Sequence, residues 1–239
     1  MFTISPSIYS ADIMNLEKAI KNANNFEHLH IDIDDGNFVR GISFGMDVVR
    51  GVCEITNIPI DVHLEVLNPL DYINDLCNTN VDTIVAHVEQ LPFPSLFLSK
   101  IHNANKKAGL ALNIKTPVSF IEPYLEQLDL IILVSVEADD DGLLFREGVL
   151  EKARQIKRKR PDVNLWMDGG INKNNLKQVV ESGTDGIVLG RAIFKADNPS
   201  KAYEEYLEIG RLYERNINKY DIWKTKKKFN RYSSWIKKE

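Results

Sequence analysis

Apolar positions along the chain fall into two alternating kinds of stretch. Short runs rich in Ile, Val and Leu read as strands: FTISPSI (2–8), EHLHIDI (27–33), IDVHLEV (60–66), DTIVAHVE (82–89), GLALNI (109–114), LIILVSV (130–136), VNLWMD (163–168) and GIVLG (186–190). Between them lie longer amphipathic stretches that read as helices, among them FGMDVVRGVCEI, NPLDYINDLCN, PVSFIEPYLEQL, EGVLEKARQIKRKR and, last, PSKAYEEYLEIGRLYERN. Eight strands, each followed by a helix, is the count of an α/β fold of the (β/α)8 TIM barrel type, and 239 residues suit a single such domain. Proline near helix starts in LNP (67–69), KTP (115–117) and DNP (197–199), and glycine after a helix in ESG (181–183), punctuate the pattern consistently.

The barrel is expected over residues 1–217, followed by a basic, aromatic C-terminal extension over 218–239. From Tyr213 onward nine Lys or Arg stand against three acids. That run reads as a solvated helical extension packed on the barrel or on another subunit. Over the whole chain the net charge is −4, which argues against a nucleic-acid partner. No apolar run approaches the roughly 18 residues of a membrane span, and the opening residues lack a basic segment followed by an apolar one, so a cytoplasmic protein with no membrane partner is expected. Cys53 and Cys77 have no metal-ligand spacing and are too few for a disulfide framework, so free thiols are expected.

The stretch LHIDIDDG (29–36) puts His30, Asp32, Asp34 and Asp35 into what is otherwise a buried strand. Residues two apart on a strand share a face, so His30, Asp32 and Asp34 point together, opposite Leu29, Ile31 and Ile33. Strand three likewise puts His63 and Glu65 on one face, and strand seven ends in Asp168 before Gly169 and Gly170. In a TIM barrel the C-terminal strand ends carry the chemistry. Any one of these side chains alone would be an ordinary paired core group. Two imidazoles and two carboxylates converging from three strands make a mixed N/O site suited to zinc, iron, manganese or cobalt, and such buried charges are costly without a neutralising cation.

Six pieces, PSIYSAD (6–12), LHIDIDDGNFV (29–39), DVHLEVLNP (61–69), GLALNIKTP (109–117), MDGGI (167–171) and GTDGIVLGRAIF (183–194), occur in an order that resembles the ribulose-phosphate 3-epimerase family, from residue 2 to about residue 210. The resemblance implies a metal-dependent sugar-phosphate 3-epimerase that inverts the carbon next to a ketose carbonyl through an enediolate. It implies that His30, Asp32, His63 and Asp168 bind one divalent metal ion, with Asp32 and Asp168 as the acid/base pair. Ser7 would contact the substrate, and Gly169, Gly170, Gly190 and Arg191 would hold its phosphate. A homo-oligomer acting on a small-molecule sugar phosphate is implied as well.

The chain departs from the family pattern where the family carries methionines, since Asp34, Glu65 and Val134 stand at those positions. Asp34 and Glu65 are expected either to turn aside into ion pairs, or to meet a more polar or cationic part of the substrate, or to alter the metal environment. The glycine-rich phosphate loop after strand six is replaced by EADDDGLLF (137–145), in which Gly142 alone survives and Asp139 to Asp141 would repel a phosphate. Arg191 replaces a small hydroxyl residue and can bind phosphate bidentately. The expected substrate is therefore a ketose phosphate other than, or in addition to, D-ribulose 5-phosphate. His87 on strand four is expected to be a hydrogen-bonded barrel histidine. Two alternatives use the same residues: a lyase or decarboxylase of the related phosphate-binding barrels, whose Asp-x-Lys-x-x-Asp strand is not matched around Asp61 and His63, and a non-catalytic sugar-phosphate-binding protein.

Overall fold

The computed structural model describes residues 1–23, 25–137 and 144–235, with side chains described through Ile217. Gly142 and Asp139 to Asp141 lie outside the described residues. The strands are β1 (Thr3–Pro6), β2 (Leu29–Asp34), β3 (Ile60–Glu65), β4 (Thr83–His87), β5 (Lys107–Leu112), β6 (Leu130–Val134), β7 (Asn164–Asp168) and β8 (Gly186–Leu189). All pair in parallel in the order β1-β8-β7-β6-β5-β4-β3-β2. A bridge between Ser7 and His30 joins the two ends of that order and closes the ring. This is the (β/α)8 barrel expected from the strand count.

The helices are α1 (Leu16–Lys21), α2 (Met46–Ile55), α3 (Ile73–Cys77), α4 (Pro94–Asn103), α5 (Val149–Lys159), α6 (Leu176–Glu181), α7 (Arg191–Phe194) and α8 (Pro199–Trp235). The one-helix-per-strand expectation fails after β5, where residues 118–127 form two 3-10 segments, Val118–Phe120 and Glu122–Gln127. Pro123 falls in the middle of the expected helix, where a proline lacks the N–H an α-helical turn needs and crowds the preceding turn, whereas Pro117 stands only at its start. α8 runs unbroken through the expected boundary at 217/218.

Strand alternation separates two cores. Outward-facing residues such as Leu29, Ile31, Ile33, Val62, Leu64 and Ile131 pack against the helices in the main apolar cluster. Val85, Ala111, Leu130, Ile132, Trp166 and Val188 form a second cluster inside the barrel. Trp166 is accommodated by glycine: a methyl at Gly186 would lie 2.6 Å from its Nε1. On the β1–β4 side the interior is polar, with Ser5, His30, Asp61, His63, Thr83 and His87 all buried. The apolar half of the interior makes a low-dielectric wall for the polar half, which strengthens every charge interaction there.

α8 seals the outside of β1. Tyr203 is buried and its hydroxyl accepts the Glu27 N–H at 3.0 Å, while the Arg211 guanidinium binds both Glu27 oxygens at 2.8 and 2.7 Å. Gly210 lets the helix lie on Phe2, whose ring a methyl there would approach to 2.3 Å. No helix among the described residues is long and apolar enough to cross a membrane. Cys53 and Cys77 are both free.

Candidate active site

The parallel register of β2 and β3 stacks the polar interior in layers: His30 pairs with Asp61, Asp32 with His63, and Asp34 with Glu65. The deepest layer is fixed by hydrogen bonds that leave little freedom. Asp61 accepts from Ser5 Oγ at 2.5 Å through one oxygen and bonds His30 Nδ1 through the other. This turns His30 Nε2 upward, 2.8 Å from Asp32 Oδ1. Ser7 Oγ donates to the other Asp32 oxygen at 2.6 Å.

Asp168 enters from β7, across β1 and β8 from Asp32. Its Oδ2 lies 3.9 Å from His30 Nε2 and 3.8 Å from His63 Nδ1, which is itself 3.6 Å from Asp32 Oδ1. His30, Asp32, His63 and Asp168 thus place one donor atom each within 4.8 Å of one another. Both His63 ring nitrogens are buried without a hydrogen-bond partner. A buried imidazole lacking any partner is costly, and a cation shared with the three neighbouring donors would satisfy it. The residues therefore fit a divalent metal of the borderline N/O type.

The electrostatics agree. Burial opposes a charge on His63, but the Asp168 and Asp32 carboxylates outweigh it and push the imidazole up to about 10. Burial likewise opposes charge on His30, and Asp32 with Asp61 raises it well above 6.5. Asp32 is held well below the usual carboxylate range, burial again being overcome by His30. Contacts of 3.6 to 3.8 Å around His63 are electrostatic rather than hydrogen bonds. A field that favours a proton at these nitrogens favours a metal cation as well.

Glu65 turns into an ion pair, its Oε1 3.4 Å from His87 Nε2, and Asp34 is buried beside it. Burial and the neighbouring Glu65 push the Asp34 carboxyl up to about 8. Burial raises Glu65 too, but His87 more than offsets it and lowers the group overall. His87 is hydrogen-bonded, as expected, through Nδ1 to Glu89 Oε2 at 3.2 Å. Asp35 is engaged by backbone instead: its carboxylate accepts from the Asn37 and Phe38 N–H groups of the following turn at 2.8 and 3.0 Å and from the Leu67 N–H beyond β3 at 2.8 Å.

Beside the four donors lies a cavity of about 250 Å³ bordered by Ser7, Tyr9, Ser10, Gly169, Gly170, Gly190 and Arg191. Gly169 and Gly170 take positive φ, +101° and +64°, where side chains are strained. Methyls there would come within 2.5 Å of Val136 Cγ2 and 3.0 Å of the Phe145 nitrogen. Ser135 Oγ donates to the Asp168 and Gly169 carbonyls at 2.7 and 2.5 Å, and Asn175 Nδ2 to that of Gly170 at 3.0 Å, so the turn is rigid. A methyl at Gly190 would strike Ser10 Oγ at 2.4 Å. The supporting roles of Ser5, Asp61, Ser135 and Asn175 were not anticipated from the sequence, although Asp61 sits two residues before His63 and shares its face.

Two imidazoles and two carboxylates over a glycine-walled cavity, at the C-terminal end of a (β/α)8 barrel, define a barrel enzyme with a candidate metal centre. Residues 3–194 match the model of the ribulose-phosphate 3 epimerase family. The chain is 34% identical over 212 residues to a ribulose-phosphate 3-epimerase of Bacillus subtilis (strain 168), covering 86% of this chain and 98% of that protein. It is 37% identical over 207 residues to the one of Synechocystis sp., covering 83% and 90%. The chain belongs to the ribulose-phosphate 3-epimerase family and is by that membership an isomerase. Among solved structures, orotidine 5'-phosphate decarboxylase from Pyrococcus horikoshii OT3 superposes with a TM-score of 0.64 at 16% identity, over 87% of this chain and 99% of that one. At that identity the likeness is one of fold.

Proposed function

We propose that this chain is a metal-dependent 3-epimerase of a ketose phosphate, with Asp32 and Asp168 as its acid/base pair. The observation that carries the reading is the convergence of His30, Asp32, His63 and Asp168 from β2, β3 and β7 within 4.8 Å, around an imidazole with no other partner. These four would hold one divalent ion, which supplies Lewis-acid stabilisation of the negative charge that develops on oxygen when a proton leaves the adjacent carbon.

The chain's own residues divide the remaining work. Asp32, kept ionised, takes the proton from one face of the substrate, and Asp168, reaching in from β7, returns one to the other; in the reverse direction they exchange roles. Ser7, donating to Asp32 Oδ2 at 2.6 Å, orients that carboxylate and meets the substrate. Gly169, Gly170 and Gly190, which border the cavity and pack too tightly on Val136, Phe145 and Ser10 for a side chain, let the backbone approach the phosphate, and Arg191 at the rim adds a fixed positive charge. Asp34 and Glu65, paired in register one layer beyond Asp32 and His63, favour a substrate richer in hydrogen-bond donors than ribulose 5-phosphate.

Incubating the metal-loaded protein with a panel of ketose phosphates in heavy water tests this. Deuterium at C3 with appearance of the epimer is the expected result. Release of carbon dioxide or an aldehyde would instead assign a lyase, and no exchange across the panel would assign a binding protein.

A further inference from the structure

We propose that Ser43, in the loop after β2, is a positioning residue for Asp32, fixing the backbone from which that carboxylate reaches into the site. β1 ends at Pro6, and β2 meets that side through the bridge between Ser7 and His30. Alternate residues of a strand turn their backbone groups to opposite neighbours. Leu29 sends its N–H to the Pro59 carbonyl on the β3 side at 2.9 Å, so His30, Asp32 and Asp34 turn theirs toward β1. Past the bridge, the Asp32 carbonyl and the Asp34 N–H have run beyond the end of that strand, and backbone polar groups there still need partners.

The Ser43 hydroxyl takes the missing strand's place. It donates to the Asp32 carbonyl at 2.7 Å and accepts the Asp34 N–H at 2.8 Å. These are the two bonds that one residue of a parallel neighbour would make, gathered onto a single oxygen. The Ser43 N–H adds a bond to the Asp34 carbonyl at 3.4 Å, and an antiparallel bridge between Asp35 and Ile42 folds the loop back so that the serine arrives there.

The consequence falls on the Asp32 side chain. Its two oxygens meet His30 Nε2 at 2.8 Å and the Ser7 hydroxyl at 2.6 Å, and both partners are set by other strands: His30 by Asp61 of β3, Ser7 by the Leu189 carbonyl of β8. The carboxylate keeps both contacts only while its own backbone stays in register. Asp168 is held in the same manner, its carbonyl accepting from the Ser135 hydroxyl at 2.7 Å. A serine hydroxyl thus clamps the backbone of each member of the acid/base pair, and in taking that pair as given the inference rests on the proposed function.

The test compares Ser43→Ala, which removes donor and acceptor together, with Ser43→Thr, which keeps both, in the full chain. Ser43→Ala should lower kcat for deuterium exchange about tenfold or more with KM within about twofold, and should weaken Zn²⁺ binding in a competition titration about tenfold. Ser43→Thr should restore both. Ser182→Ala removes a buried hydroxyl bonded to the Val179 carbonyl at 2.6 Å ahead of β8, at the other end of the barrel, and controls for general destabilisation. An alanine variant with native kcat and zinc affinity, the same losses in Ser182→Ala, or no recovery with threonine overturns the role of Ser43. A native chain that binds zinc but exchanges no deuterium overturns the proposed function instead, and zinc affinity alone then decides for or against Ser43. A native chain that neither binds zinc nor exchanges deuterium overturns both.

Discussion

Asp61→Asn isolates what the deepest layer contributes to metal binding. Asp61 is 1% exposed, so no water can replace it as acceptor for the His30 Nδ1–H and the Ser5 hydroxyl. Asparagine preserves the shape but removes the charge that raises the basicity of the opposite nitrogen. Losing such a carboxylate behind a metal-bound imidazole typically weakens metal affinity about 10–100-fold. At about 1.4 kcal/mol per tenfold this is ~1.4–2.8 kcal/mol, close to the about 1.5–3 kcal/mol of a hydrogen bond to a charged group. Asp61→Ala should do more: it leaves a buried N–H and a buried O–H without acceptors, at about 1–3 kcal/mol each, and lowers the melting temperature of the metal-free chain. Competition titration of Zn²⁺ against a chromophoric chelator, with thermal unfolding of each variant, reads both effects. An Asn variant that holds zinc within twofold of the native affinity would refute the assignment of Asp61 as the support of His30.

Three further outcomes are expected. Gly169→Ala, at φ +101° and 2.5 Å from Val136 Cγ2, should cost about 1–3 kcal/mol in urea-unfolding stability; an unchanged midpoint would show that the turn can relax. Arg191→Ala should raise KM for a phosphorylated ketose about tenfold or more with a smaller change in kcat, and equal effects on both would remove Arg191 from phosphate binding. Burial raises the Asp82 carboxyl, but its bonds to Lys107 at 3.0 Å and Thr83 at 2.8 Å outweigh this and lower it below its usual 3.8. A lowered folded value means that the stabilisation is fully present above about pH 3.8 and is lost as pH falls further. Asp82→Asn should therefore flatten the acid limb of a stability-against-pH curve, and identical limbs would contradict the assignment.

Strand order and the inward face of β2 were legible because period-two alternation survives even where half the inward residues are charged. His30, Asp32 and Asp34 could be assigned to one face from LHIDID alone, and His63 from DVH. Spacing could not show support across strands. The bond from Asp61 to His30 depends on the parallel register of β2 and β3, and that of Glu89 to His87 on a turn held by Asn113 and Thr116. Ser135 was equally silent, because it acts on backbone carbonyls of a turn more than thirty residues away, and Asn175 because its bond to the Gly170 carbonyl depends on how that turn folds back. Helical periodicity misled over residues 118–127, where apolar spacing persists but Pro123 interrupts the stretch and the backbone forms 3-10 turns. Asp35 looked like part of the charged cluster, yet its backbone N–H partners make it a turn residue.

The most direct test is an anomalous difference map from crystals of the zinc-loaded chain. A peak is expected about 2.0–2.2 Å from a nitrogen of His30 and of His63 and from an oxygen of Asp32 and of Asp168. A loaded crystal with no anomalous density among those four side chains would contradict the account.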